Sequence, residues 1–337
     1  MRAVLTSVIL IALFAACAKD EVSTTELDAP YTPQLPAGAP MVPVPAANAL
    51  TITRVQLGKL LFHDARLSLG NGISCASCHR ADHAFSDTSA FSAGANGALG
   101  FRNAPSLANV AYLPTLFRDG GVPSLELQVL APLDDAHEMG SNISDAVAAL
   151  REVEPYRTMS LKAYDRAFDA YVLTRAIACY ERTLISGWSR FDRFAYQNDQ
   201  TALNEQELRG WSIFNSADAN CTACHSGFDL SDHDFHDIGT SIDHSADPGR
   251  ERITLLASDR GKFKTPTLRN IALTAPYMHD GSITTLELVI DHFASGGVAD
   301  PNKDPLIHAF TLTTQDRSDL IAFLRALSDD RSLDHVP

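Results

Sequence analysis

The stretch Cys75-Ala76-Ser77-Cys78-His79 decides the fold, and a second copy of it stands at Cys221-Thr222-Ala223-Cys224-His225. Two thiols three residues apart can form thioethers to the vinyl groups of a c-type haem, and the adjacent histidine then lies beneath the iron as proximal ligand. A single zinc site made from all four thiolates would leave both histidines unexplained. A thioredoxin-like redox pair is typical of a βαβ context, which neither pentad has. The sequence therefore predicts two c-type haems, one attached through Cys75 and Cys78 with His79 as its iron ligand, and one attached through Cys221 and Cys224 with His225 as its iron ligand.

The N-terminus predicts export. Arg2 precedes a mostly apolar run at residues 4–14, which has the length of a signal-peptide core and is too short to span a membrane. Small residues before Cys17 resemble a bacterial lipoprotein cleavage box, and an ordinary secretory signal is the alternative. We expect a signal peptide at 1–16, a lipidated Cys17 and a periplasm-facing protein that touches a membrane only through this anchor.

The composition indicates a flexible linker near the N-terminus and argues against a nucleic-acid partner. Residues 18–47 are rich in proline, alanine and threonine, which is typical of a flexible linker, so a lipoprotein tether is expected at 17–47. The net charge of −14 argues against a nucleic-acid partner. It would suit a basic redox protein, and it would equally suit a solvated acidic surface.

An internal repeat indicates two related halves. The pentads are 146 residues apart, whereas the later matching segments are 161 apart, so the second half has 15 extra residues between them. Ser124 and Thr285 are placed as N-caps of the matching helices. The segments matched at the offset of 161 are 104–109 with 265–270, 119–120 with 280–281, and 125–127 with 286–288.

Hydrophobic periodicity predicts a mainly helical protein. We expect two cytochrome c-like helical domains related by duplication, an N-terminal haem domain at 48–190 and a C-terminal haem domain at 191–337. Strand-like alternation is scarce. The predicted helices are 55–62, 141–150, a long one at 164–185, 204–214 and 315–327.

From about residue 50 to the C-terminus the chain resembles bacterial di-haem cytochrome c peroxidases and their relatives of the MauG type. Besides the pentads, the segments that carry the resemblance are 102–107, 119–120, 125–128, 138–140, 264–270 and 275–281. The resemblance implies a peroxidatic N-terminal haem domain and an electron-transferring C-terminal one. It also implies that Gln128 and Glu138 serve the first haem, Gln128 hydrogen-bonding the peroxide and Glu138 moving its proton. The alternative is that both are polar side chains on a solvent-exposed helix surface.

The resemblance further implies one calcium ion between the domains. Its ligands fall on the side-chain amide of Asn103 and on the backbone carbonyls of Thr274 and Pro276. The alternative for Asn103 is that it is a turn residue whose side chain hydrogen-bonds the nearby backbone. His279 matches a family histidine near the second haem.

Two departures from the family concern the first haem. The stretch 80–103 offers only His83 as a distal histidine, four residues after the proximal ligand and badly placed to reach around the haem. The first haem should therefore be open in the resting protein. The family's tryptophan between the haems is Arg118 here, and a guanidinium cannot be oxidised as an indole can.

Two more departures concern the second haem. The family's distal Met or Tyr falls on Phe293, and a phenyl ring cannot ligate iron. His292, Met278 and a vacant or water-filled position stay open as alternatives. The indole that MauG-type enzymes carry two residues before the second pentad is Ala219.

The resemblance favours a peroxidase that reduces hydrogen peroxide with electrons from a small cytochrome c or cupredoxin. A MauG-type oxidase of a partner protein is the second hypothesis, and a non-catalytic di-haem electron carrier is the third. A homodimer remains open.

Overall fold

Helices joined by long turns form nearly all of the regular structure. The computed structural model describes residues 28–336; the predicted signal peptide and Cys17 lie outside these residues. The helices are α1 (Ile52–Phe62), α2 (Cys75–Cys78), α3 (Leu125–Gln128), α4 (Leu130–Asp134), α5 (Ile143–Leu150), α6 (Tyr156–Tyr164), α7 (Ala170–Glu181), α8 (Arg190–Tyr196), α9 (Glu205–Phe214), α10 (Glu251–Thr254), α11 (Leu286–Ser295) and α12 (Thr314–Arg325). Two short antiparallel strands, β1 (Phe235–His236) and β2 (Phe263–Lys264), form the one sheet of the described part. No described helix is long and apolar enough to cross a membrane.

Each half is built around one pair of helices whose backbones nearly touch. At the crossing of α1 and α7, a methyl group added to Gly58 would stand 1.9 Å from the carbonyl oxygen of Ala176. At the crossing of α9 and α12, a methyl group on Gly210 would stand 2.0 Å from the carbonyl oxygen of Asp319. Only glycine permits this approach, because any side chain would separate the two helices.

The predicted long helix at 164–185 is shorter in the structure, where α7 covers Ala170–Glu181 and residue 164 is the last residue of the separate helix α6. α6 ends at Tyr164, and Asp165 takes up a left-handed conformation with φ of 50°. Asp169 then caps α7, since its side-chain oxygen accepts a hydrogen bond from the backbone N–H of Val172 at 3.0 Å. The amphipathic pattern continues across the break because both helices face the same core.

The segments matched by the repeat have the same local geometry. Asn109 and Asn270 are both left-handed, with φ of 60° and 59°. A bridge pairs Leu116 with Val122 in the first half, and another pairs Tyr277 with Ile283 in the second. Of the two expected N-caps, Thr285 accepts a hydrogen bond from a helix N–H, whereas the Ser124 side chain accepts none.

The two halves are joined by polar contacts and by the chain ends. Arg102 of the first half forms a bidentate ion pair with Asp247 of the second, at 2.6 and 2.7 Å. Leu333 and Val336, near the C-terminus, are buried in the core of the first half. Residues 28–47 are not a free tether, because backbone oxygens there accept hydrogen bonds from Tyr112 and other residues of the globular body.

Candidate active site

The first pentad begins α2, so its two thiols lie on one helical turn. Ser74 and Ser77 form a capping box that fixes this turn, and the N–H of His79 donates to the carbonyl of Cys75 at 2.9 Å. The His79 Nδ1 donates to the carbonyl oxygen of Phe85 at 2.9 Å. Burial lowers the pKa of His79. The imidazole is therefore neutral, with Nε2 as the nitrogen that can bind iron.

The second pentad repeats this arrangement on a short 3-10 helix at Cys221–Ala223. The His225 Nδ1 donates to the carbonyl oxygen of Leu230 at 2.9 Å, and burial again lowers the pKa of the histidine. The same ring nitrogen is thus fixed by the backbone in both pentads. This arrangement fits a proximal haem ligand, whose other nitrogen is normally held by a carbonyl or carboxylate.

The pentad cysteines fit haem better than zinc. Among residues 28–336, no group of possible metal ligands combines the two pentads.

A cavity of about 350 Å³ lies beside the first pentad and extends to the second half of the chain. Its walls are mostly apolar, and His79, Gln128 and Glu138 line it together with both cysteines. The two predicted distal residues thus reach the cavity from different elements. Gln128 is the last residue of α3, and Glu138 lies in the turn between α4 and α5.

The turn that carries Glu138 is held by a neighbouring loop. The N–H of Ala95 donates to the Glu138 carbonyl at 2.7 Å, and a methyl group on Gly94 would stand 2.2 Å from the carbonyl oxygen of His137. Glu138 is accessible through the cavity, yet the surrounding protein desolvates its carboxyl group and raises its pKa. The negative charge of Asp135 adds to this rise. A carboxyl group with a raised pKa is suited to proton transfer near neutral pH.

The residues expected to bind calcium do not fit a metal ion in this structure. Asn103 accepts two hydrogen bonds from the Arg118 guanidinium, at 2.9 Å on its carbonyl oxygen and 2.8 Å on Oδ1. Its Nδ2 donates to Ser89. Thr274 and Pro276 line the same cavity. Oδ1 of Asn103, the one side-chain oxygen among the expected calcium ligands, already accepts a hydrogen bond from the Arg118 guanidinium.

The four residues that the sequence associates with the second haem have different surroundings in the structure. The His279 ring stacks on Phe263 with centroids 3.8 Å apart, and its carbonyl accepts from the Asn103 N–H. Met278 lines the cavity, with φ of 73°. The His292 Nε2 is hydrogen-bonded to the carbonyl oxygen of Ile238 at 2.9 Å, which leaves Nδ1 as its free ring nitrogen. Phe293 is half-buried near the end of α11 and contacts the His292 ring edge-on.

Glu181 lines the cavity beside the first pentad, whereas His83 does not. The His83 ring is paired with the neighbouring Asp82 at 2.9 Å and is not among the residues that line the cavity. Glu181 does line it, is 4% exposed, and has a pKa raised to about 8 by burial. Sequence reasoning missed Glu181, since a glutamate at the end of a helix gives no signal that it is buried.

Comparison with known proteins agrees with this geometry. Residues 53–201 match the family model of di-haem cytochrome c peroxidases, and residues 208–328 match that of cytochrome c. The methylamine utilization protein MauG of Methylophilus methylotrophus is 38% identical over 85% of both chains. A cytochrome c551 peroxidase of Nitrosomonas europaea is 32% identical over 88% of this chain and 86% of its own.

A solved structure supports the same relationship. A MauG-like protein associated with microbial copper homeostasis superposes with a TM-score of 0.84 at 35% identity, over 89% of this chain and 96% of the other. The family members named as peroxidases are oxidoreductases, and two c-type haems are the cofactors of a di-haem family. The chain therefore belongs to the di-haem cytochrome c peroxidase and MauG family.

Proposed function

We propose that this protein reduces hydrogen peroxide at the haem of the first pentad, with electrons that arrive through the haem of the second. The observation that carries the proposal is the meeting of Gln128, Glu138 and His79 around one cavity, although they come from three separate segments. When bound, the haem iron supplies the redox chemistry of peroxide reduction. The chain itself supplies proton transfer, hydrogen bonding and a mostly apolar enclosure.

Glu138 is the proposed acid–base group. As a carboxylate it accepts a proton from one peroxide oxygen, and as an acid it returns that proton to the other oxygen, which leaves as water. Burial raises its pKa, so the acid form is easier to reach than in a free glutamate. Gln128 donates an amide hydrogen bond to the peroxide, which orients it for cleavage. His83 is paired with Asp82, so a resting enzyme with an open first haem is proposed.

The electron donor is proposed to be a small cytochrome c or a cupredoxin. The net charge of −14 favours a donor with a basic docking face. We further propose that Arg118 takes the place of the calcium ion of the family. Its guanidinium holds both oxygens of Asn103, and Lys264 donates through its backbone N–H to the Arg118 carbonyl at 2.7 Å.

Domain organisation and location belong to the same proposal. The matching helix crossings and the matching left-handed asparagines support an internal duplication with haem domains at 48–190 and 191–337. A signal peptide at 1–16 and a lipid at Cys17 would place the enzyme on a membrane surface facing the periplasm.

Replacing Glu138 tests the proposal. Glu138→Gln should slow the reaction of the ferric holoenzyme with peroxide by about 10²–10⁴-fold, the usual contribution of a positioned acid–base group. The matched control is Glu152→Gln, an exposed glutamate that does not line the cavity. Stopped-flow spectroscopy of both variants with full haem content gives the comparison. Equal rates for Glu138→Gln and wild type would remove Glu138 from the mechanism.

The second candidate function is a MauG-type oxidation of a partner protein. The relationship to MauG of Methylophilus methylotrophus at 38% identity favours it. Ala219 and Arg118 stand where such enzymes carry indoles, so a different exit route for oxidising equivalents would be needed. Peroxide turnover with a reduced cytochrome supports the first candidate. Peroxide-dependent oxidation of side chains in an added protein, detected by mass spectrometry, would support the second.

A further inference from the structure

One group of possible metal-binding side chains contains no residue of either haem pentad, and we propose that it binds one divalent transition-metal ion of the zinc type. Its members are Asp237, His244 and Asp300, whose donor atoms all lie within 4.8 Å of one another. Asp237 directly follows β1, and Asp300 follows α11. His244 lies between the second pentad and residue 265, the part of the second half that is longer than its counterpart. The ion would tie this longer segment to the rest of the half.

The distances in the cluster suit a shared ion better than direct hydrogen bonds. The His244 Nε2 lies 3.4 Å from Oδ2 of Asp300 and 4.0 Å from Oδ2 of Asp237. Hydrogen bonds between such groups are about 2.7–3.2 Å long. Two ligands that each lie about 2.0–2.2 Å from a tetrahedral ion are roughly 3.4 Å apart. The cluster therefore has the spacing of ligands around a common centre.

The donor side chains are buried, and two of the three donor atoms have no hydrogen-bond partner. The side chains of Asp237 and His244 are 0% and 4% exposed. Oδ2 of Asp237 and Nε2 of His244 have no hydrogen-bond partner in the structure. Among the described residues, His244 is the one basic side chain within 4.0 Å of either carboxylate. Buried carboxylates that face each other without a bridging cation are costly, and a divalent ion would remove that cost.

The backbone orients the donors toward one point. Oδ1 of Asp237 accepts from the N–H of Gly239 at 2.8 Å, and Oδ1 of Asp300 accepts from the N–H of Asn302 at 2.8 Å. Both Oδ2 atoms are thereby left to face His244. Supporting hydrogen bonds of this kind are what orients ligands in metal sites. Gly261 keeps the space open, because its added methyl would lie 2.7 Å from the His244 Nε2.

The donor set selects the type of ion. One imidazole nitrogen with two carboxylate oxygens suits zinc, whereas calcium and magnesium prefer sites made only of oxygen. A neighbouring group around His236 differs in this respect. Both ring nitrogens of His236 are bonded to carboxylates, at 2.6 and 3.1 Å, and the third member of that group is Cys224 of the haem pentad. That group belongs to the haem site.

Metal analysis of the full-length holoprotein tests the proposal. The protein is dialysed against EDTA, incubated with zinc chloride, passed through a desalting column and analysed for zinc by mass spectrometry. We expect one zinc per chain in wild type and less than a tenth of that in His244→Ala and Asp237→Asn. The control is His308→Ala, an exposed histidine in the same half, which should keep one zinc. Zinc-edge X-ray absorption should show nitrogen and oxygen ligands and no sulfur.

Two further results decide the matter if a variant folds badly. Gly261→Ala keeps all three ligand side chains in the chain, but its methyl would lie 2.7 Å from the His244 Nε2 and must displace that ring, so it should abolish zinc retention while the haem spectrum is unchanged. Wild type alone is also decisive. If it retains no zinc after reconstitution, the proposal is wrong. Zinc with sulfur ligands, or zinc retained equally by every variant, would overturn it as well.

Discussion

Changing Gly94 to alanine should slow peroxide chemistry without touching a catalytic side chain. The new methyl would stand 2.2 Å from the carbonyl oxygen of His137, about 1.2 Å closer than the 3.4 Å at which ordinary van der Waals contact begins. The loop and the turn that carries Glu138 must therefore separate by about that much. A displacement of about 1 Å at a reacting group can cost roughly 10²-fold in rate. We expect a loss of that order in the reaction of the ferric holoenzyme with peroxide.

Gly100→Ala is the matched control in the same loop. A methyl at Gly100 would lie 3.8 Å or more from its nearest neighbours, so the loop has no reason to move. Both variants are compared by stopped-flow absorption after their haem content and thermal unfolding have been measured. A wild-type rate in Gly94→Ala, or the same loss in Gly100→Ala, would refute the claim that this contact positions Glu138.

Three more predictions follow from the site. Asp135→Asn removes a negative charge that raises the pKa of Glu138, so the pH at which the peroxide reaction reaches half its maximal rate should move down; an unchanged or raised midpoint would contradict this. The second haem should show no Met–iron absorption band, and Phe293→Met should create one, whereas a wild-type band that disappears in Met278→Leu would make Met278 the ligand. Wild type should contain no calcium after desalting, because Arg118 holds Asn103, and Arg118→Gln should bind the ion more tightly in a titration; stoichiometric calcium in wild type would contradict the replacement.

The sequence predicts the parts of this site that depend on local spacing. The two pentads place thiols and histidine within one turn each, so their geometry could be read directly from the chain. The predicted helix at 204–214 agrees with α9, which begins one residue later because Asn204 caps it through the N–H of Glu207. The mainly helical fold could likewise be predicted from hydrophobic periodicity.

The parts that depend on contacts between distant segments could not be read in this way. The backbone hydrogen bond between Ala95 and Glu138 joins two turns that are 43 positions apart in the sequence. Neither turn has a periodic pattern of apolar residues that would predict the contact. The hydrogen bonds between Arg118 and Asn103 could not be predicted from the sequence for a different reason. Resemblance assigned the two positions to separate roles, an electron relay and a metal ligand, whereas in this chain they form a single contact.

Arg118 differs from a calcium ion in its charge and from a tryptophan in its redox chemistry. Burial lowers its pKa to about 10, so the guanidinium is still charged at neutral pH. A covalently held cation cannot be removed by a chelator, and it organises Asn103 through two hydrogen bonds. It carries one positive charge where calcium would carry two, and it cannot be oxidised as an indole can. If Arg118 replaces calcium as proposed, a side chain of the protein itself holds Asn103, and any oxidising equivalent that passes this position must travel by another group.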